Sequence, residues 1–152
     1  MNVIAVNRKA FHEYEIKDTV EAGLVLHGAE VKSVRRKQVS ISDAFATIHG
    51  GQLVLLNSYI APYSHAYSKG DDPRRTRGLL LHRREIDRLA GDISKKGLTL
   101  IPLKHYINNR GYVKVELGIA KHKKLHEKKK TLKERDIKRE VSREVKVKMR
   151  IT

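Results

Sequence analysis

From Lys121 to Thr152 the chain contains no Phe, Tyr, Trp, Gly or Pro, and it carries 14 Lys and Arg against 5 Asp and Glu. Such a stretch has too few large apolar side chains to bury a core of its own. The chain therefore divides into a globular body, residues 1–120, and a basic C-terminal tail, residues 121–152. The body holds 19 basic and 12 acidic side chains, so the tail carries more than half of the net charge of +16. A surface of this sign attracts polyanions, nucleic acid first and an anionic membrane second. No apolar run reaches the ~18 residues of a transmembrane helix. Cysteine is absent, which removes disulfide scaffolds, cysteine nucleophiles and cysteine-ligated zinc. The opening MNVIAVNRKAFHEYEIKD turns charged without a secretory apolar segment, so a cytoplasmic protein is expected.

Within the body, VEAGLVL (20–26) alternates, with Val20, Ala22, Leu24 and Leu26 on one face and Glu21, Gly23 and Val25 on the other. FHEYEI (11–16) is expected to pair with it across Lys17-Asp18-Thr19. GAEVKSVRR (28–36) reads as a short helix with Val31 and Val34 inward and Lys32, Arg35 and Arg36 elsewhere on its circumference. Ala44 to Ile60 reads as a hairpin about Gly50-Gly51, a pair that tolerates the positive φ of a two-residue turn. Residues 61–78 show no periodicity and read as a long loop. His82 to Lys96 carries Ile86, Leu89, Ala90 and Ile93 at helical spacing, with Gly97 as the terminating residue. GLTLIPLKHYI (97–107) reads as a strand with Pro102 at an edge or bulge, NNRG as a turn, and YVKVELGIAK (112–121) as a strand with Val113, Val115, Leu117 and Ile119 inward. About six antiparallel strands and two helices suggest a small closed or partly open barrel, although an open sheet with helices on it has the same periodicity.

Catalytic patterns are lacking. There is no glycine-rich phosphate loop and no GxSxG, and His12-Glu13 is not completed as HExxH because Ile occupies position 16. His122 and His126 have a metal-compatible spacing but no converging carboxylates beyond Glu127, and Asp71-Asp72 reads as a turn before Pro73. No enzyme activity, metal or cofactor is expected. Nucleic-acid features are stronger. Arg74, Arg75 and Arg77 bring three guanidiniums together, with Tyr63, His65 and Tyr67 nearby as stacking surfaces. Lys32, Arg35 and Arg36 make a basic helix face, and Lys121, Lys123 and Lys124 leave the last strand directly. Glu21 is an outward carboxylate on a cationic protein. It either accepts from base N–H groups or pairs with a neighbouring cation.

In the tail, TLKE (131–134) matches a capping box, Ile137, Val141 and Val145 recur every four residues, and Glu134–Lys138 and Glu144–Lys148 are i,i+4 pairs. Each such pair is worth about 0.2–0.5 kcal/mol, against a backbone ordering cost of about 1–2 kcal/mol per residue. A helix over about 131–148 is thus encoded weakly, frayed alone and formed against a polyanion. The stripe lacks the Trp, Phe and Leu of membrane-surface helices.

Eight runs in order, NRKAFHEYEI (7–16), EAGLVLHGAEVKSVR (21–35), ISDAFA (41–46), NSYIAPY (57–63), DPRRTRGLLLHRREI (72–86), GLTLIPLKHY (97–106), KVELGIAKHKK (114–124) and TLKERD (131–136), resemble the small protein B family, the tmRNA-binding (SsrA-binding) proteins of bacterial trans-translation. The resemblance implies an OB-type antiparallel β-barrel with flanking helices and a basic tail. It implies a non-catalytic adaptor that binds the tRNA-like domain of tmRNA and enters the A site of a stalled ribosome, and a monomer is the simplest expectation for such an adaptor. On this pattern Glu21, Leu80, His82, Lys121, Lys123 and Lys124 contact tmRNA, with Lys32, Arg35 and His122 as further cationic candidates. The tail would face the decoding centre and empty mRNA channel through His126, Glu127, Lys128, Lys129, Lys130, Lys133 and Arg135. An ordinary ribosomal protein or another rRNA-binding translation factor is the alternative. Three departures stand out: His122 where the family usually has Gly, Glu127-Lys128-Lys129 where it commonly shows DKR, and Gly78 where Lys is usual. A stiffer start to the tail is expected from the first.

Overall fold

The computed structural model describes residues 2–63 and 72–123. In chain order the elements are β1 (Asn2–Val6), α1 (Arg8–Glu13), β2 (Tyr14–Leu24), α2 (Gly28–Arg35), β3 (Val39–Ser40), β4 (Phe45–His49), β5 (Gln52–Leu56), β6 (Tyr59–Ile60), β7 (Arg77–Leu80), α3 (Arg83–Lys96), β8 (Thr99–Ile107) and β9 (Val113–His122). The predicted alternation in β9 places Val113, Val115, Leu117 and Ile119 in the main core, where they meet Ala22 and Leu24 of β2, Leu53 and Leu55 of β5, and Leu100 of β8. Helix α3 adds Ile86 and Leu89 to that core and ends at Gly97, whose φ of 64° is left-handed. Gly50 and Gly51 have φ of 59° and 77° between the paired His49 and Gln52, the geometry a two-residue hairpin turn needs.

All pairings are antiparallel. The seven-stranded sheet runs β1-β8-β4-β5-β7-β2-β9, β8 also pairs with β9, and β3 and β6 form a separate two-stranded sheet. The fold is a mixed α/β arrangement of a multi-stranded antiparallel sheet with helices. Pro102 lies at a register irregularity between β8 and β9, as its missing N–H suggested. No helix of the described residues is long and apolar enough to cross a membrane.

Two sequence expectations need correction. FHEYEI does not form one arm of a hairpin. Arg8–Glu13 is a helix, capped by the Asn7 side chain accepting from the Ala10 N–H (3.3 Å), and Tyr14–Leu24 is one continuous strand. Lys17-Asp18-Thr19 is polar because it sits at an irregularity in the β2–β9 pair, between Ile16 and Asp18, and not because the chain reverses there. Helix α1 has its own small core, in which Ala10 and Tyr14 meet Ile101, Leu103 and Ala120. Second, Gly118, which the alternation of β9 would turn outward, is buried: a Cβ there would lie 3.1 Å from the Leu103 side chain. The predicted tail helix over 131–148 lies outside the described residues.

Candidate nucleic-acid interface

Glu21, Leu80 and His82 come together. With Leu81, Glu85 and Lys114 they line a shallow pocket of about 390 Å³. Leu80, on β7, pairs with Gly23 of β2, and it is 63% exposed although its type reads as core. Gly23 makes room for it: a Cβ there would lie 3.3 Å from the Leu80 Cβ. His82 is the N-cap residue of α3, yet its side chain makes no capping bond. Glu21 stands across β2–β9 from Glu116, two like charges in register. Lys104 lies 3.4 Å from the Glu116 carboxylate, and the Tyr106 hydroxyl donates to Glu21. Among the described residues Glu21 makes no ion pair within 4 Å, so the cation-pair alternative raised for it is not realised. Its carboxylate is held by a neutral donor and keeps acceptor capacity on the open side. Tyr106 was missed in the sequence. Its signal was available, since a half-polar ring in a strand needs a partner for its hydroxyl when buried.

Lys32 and Arg35 do not line that pocket. They are exposed on α2, where Lys32 and Arg36 both lie over the Tyr63 ring, 5.1 and 5.0 Å from its centroid. Arg74 lies over Tyr59 at 5.4 Å and donates to the Asn57 side chain at 3.1 Å. These pairs form a second cationic surface, its rings already covered by cations of the chain itself.

The three-guanidinium motif is not an open phosphate fork. Arg77 is 1% exposed and bonds Glu30, the Ser58 carbonyl at 2.6 Å and the Pro73 carbonyl at 3.0 Å. Arg75 also pairs with Glu30. Burial pushes the Glu30 carboxyl up, but bonds from Arg75, the His27 N–H and Arg77 outweigh it and hold the group below the usual carboxylate range. Two of the three arginines thus lock α2 onto the approach to β7. Glu30 lies one turn before Val34 on the inward face of α2, the signal that it would be buried. Asp72 accepts from the Arg74 N–H at 2.9 Å, the turn expected before Pro73; Asp71, His65 and Tyr67 lie outside the described residues. Among the described residues no group of three His, Cys, Asp or Glu could hold a metal.

Lys121 and His122 are still strand residues. Lys121 is exposed opposite Glu15, and His122 packs its ring against Tyr14, with centroids 4.3 Å apart. The Lys123 N–H donates to the Glu13 carbonyl at 2.9 Å and its ammonium to the Phe11 carbonyl at 3.1 Å. Burial and then the Glu13 carboxylate push the Tyr14 phenol up, so the ring beneath His122 stays neutral. Lys124, His126, Glu127, Lys128, Lys129, Lys130, Lys133 and Arg135 lie outside the described residues.

A net charge of +16 on an antiparallel sheet with helices, with exposed cations on α2 and at the end of β9, is the footprint of a basic polyanion-binding protein. Residues 4–147 match the profile of the family described as SmpB protein. The SsrA-binding protein of Chlorobaculum tepidum is 56% identical over 135 residues, 89% of this chain and 86% of that protein. The SsrA-binding protein of Persephonella marina is 48% identical over 151 residues, 99% of each chain. A solved structure described as "tmRNA-SmpB: a journey to the center of the bacterial ribosome" matches with a TM-score of 0.68 at 49% identity, over 95% of this chain and 96% of the other. The chain belongs to the SmpB protein family.

Proposed function

We infer that the protein is a non-catalytic RNA-binding adaptor of trans-translation. It binds tmRNA through the tRNA-like domain and accompanies it to the A site of stalled ribosomes. The observation that carries this reading is the likeness, over nearly the whole chain, to a structure described by tmRNA, SmpB and the ribosome together. The pocket of Glu21, Leu80 and His82 is the proposed tmRNA contact, a carboxylate acceptor beside an exposed apolar side chain and an imidazole. Lys121, His122, Lys123 and Lys124, at the exit of β9, are a further proposed tmRNA contact apart from that pocket, and Lys32 and Arg35 contribute from the second cationic surface. The tail, from His126 through Arg135, is the proposed ribosome-facing segment, lying in the decoding centre and empty mRNA channel. The pairings that return from β9 to β8 support an OB-type barrel for the body, with the tail as a separate basic unit. A cytoplasmic monomer suits this role.

A gel-shift titration of tmRNA with tRNA as competitor tests the reading. Wild-type protein should prefer tmRNA, and Glu21→Ala should weaken that binding. Equal affinity for tmRNA and bulk ribosomal RNA would instead make it an ordinary rRNA-binding protein.

A further inference from the structure

At the end of the β2–β9 pair remote from Glu21 lies a cleft of about 530 Å³, lined by residues that include Phe45 and Thr47 of β4, Leu98 and Thr99 where β8 begins, and Lys121 and His122 where β9 ends. Beside it β4 and β8 share a single register pair, Ala46 with Leu100. Its volume falls within the ~300–1,000 Å³ of small-ligand sites.

The lining is chemically specific. Phe45 and Leu98 are half-buried and both line the cleft, Phe45 from the small core beneath α1 and Leu98 from the main core. The hydroxyls of Thr47 and Thr99 can donate to or accept from a planar heterocycle's edge. Lys121 and His122 place cationic or hydrogen-bonding groups at one wall, and Lys95 and Lys96 end α3 just before Gly97. Among the described residues the cleft lining contains no Asp or Glu. Glu15, opposite Lys121, is bonded to Lys17 at 2.9 Å, and that bond holds its carboxyl below the usual range. The His122 wall is fixed in advance by its contact with Tyr14 and by the two bonds of Lys123 to the end of α1.

We propose that this cleft takes one unpaired nucleotide of a bound RNA, its base against Phe45 and its phosphate at Lys121 and His122. Bases held in this way stack on aromatic side chains and bond through their edges while cations take the backbone. The proposal rests on the RNA-binding reading above and adds a site distinct from the Glu21 pocket. The nucleotide could come from tmRNA or from ribosomal RNA.

The test uses the full chain. In an amide NMR titration with hexauridylate, the signals of Thr47, Leu98, Thr99 and His122 should move together and saturate. Thr47→Phe, which fills the cleft, should weaken the oligonucleotide at least tenfold. Phe45→Leu, which keeps the apolar volume and removes the flat ring, should weaken it severalfold and serves if the first variant does not fold. Parallel titrations of tmRNA and of small ribosomal subunits then identify the source by which affinity drops. Silence at the four amides, shifts that neither variant alters, or unchanged affinity in both RNA arms overturns the cleft. Movement of the signals of residues 124–152 on Thr47→Phe without RNA overturns it too, by assigning the cleft to the chain's own tail. If the cleft fails while Glu21→Ala still weakens tmRNA binding, the adaptor reading survives; if wild type does not bind tmRNA, that reading fails first.

Discussion

Replacing His105 by leucine should remove a defined pH dependence from the stability of the body. His105 is 0% exposed on β8, and neither ring nitrogen has a hydrogen-bond partner among the described residues. Burial first, and the Arg77 guanidinium second, push the imidazole down from 6.5 to about 4. Arg77 is itself held by Glu30, so the charge facing His105 is half of a buried ion pair. In the unfolded chain the imidazole takes its proton near its ordinary value, while in the folded chain it stays neutral until about pH 4. The unfolded state therefore binds more protons between these limits, and stability falls with falling pH, by at most about 1.4 kcal/mol per pH unit. The full difference amounts to roughly 3 kcal/mol, all present above the unfolded value and all lost below the folded one. Leucine fills a similar volume, has no proton to take and leaves no unpaired donor or acceptor. His105→Leu should thus be at least as stable as wild type at pH 7.5 and more stable by about 2 kcal/mol at pH 5. Urea denaturation followed by circular dichroism from pH 4.5 to 8 measures both slopes. Parallel curves for the two proteins would refute the reasoning, because the histidine would then titrate alike folded and unfolded.

Glu30→Gln leaves the Arg77 guanidinium buried without its counter-charge, and should cost about 3–5 kcal/mol in urea denaturation. The contribution Glu30 makes is lost only as pH falls through its depressed folded value, at the acid end of the His105 range and below it. Tyr106→Phe removes only the hydroxyl that holds Glu21, and should weaken tmRNA by about 0.5–1.5 kcal/mol with little change in Tm; unchanged affinity would show that Glu21 needs no such support. Gly118→Val drives a side chain into Leu103 and should lower stability by about 1–3 kcal/mol in thermal melts. Deleting residues 127–152 should leave tmRNA affinity within a few-fold in a gel shift and abolish tagging on stalled ribosomes; a large loss of affinity would move the tmRNA contact into the tail.

The elements that could be read from the sequence are those whose pattern is local. The alternation of β9, the stripe of α3 and the Gly50-Gly51 turn each follow from a few neighbouring residues, and each is found where expected. What could not be read depends on partners distant in the chain. Lys17-Asp18-Thr19 reads as a turn until β9 is known to pair along both sides of it. Helix α1 is six residues long, too short for a stripe, and is held by Asn7 bonding the Leu103 and Pro102 carbonyls at 2.8 and 2.9 Å. Arg77 looks like a surface cation until Glu30, 47 positions earlier, is placed against it. Glu21, Leu80 and His82 were named through the family resemblance, and they line one pocket here. The residue pattern alone would have buried Leu80.

Because β2 runs unbroken from Tyr14 to Leu24 with β9 alongside it, it works as a ruler. Seven residues separate Glu21, at one graduation, from Tyr14, against which His122 rests, a span of about 23 Å at ~3.3 Å per residue. A molecule seated at one mark has the origin of the basic extension measured out for it, and shortening or lengthening either strand by two residues would rescale that offset while leaving both ends chemically intact.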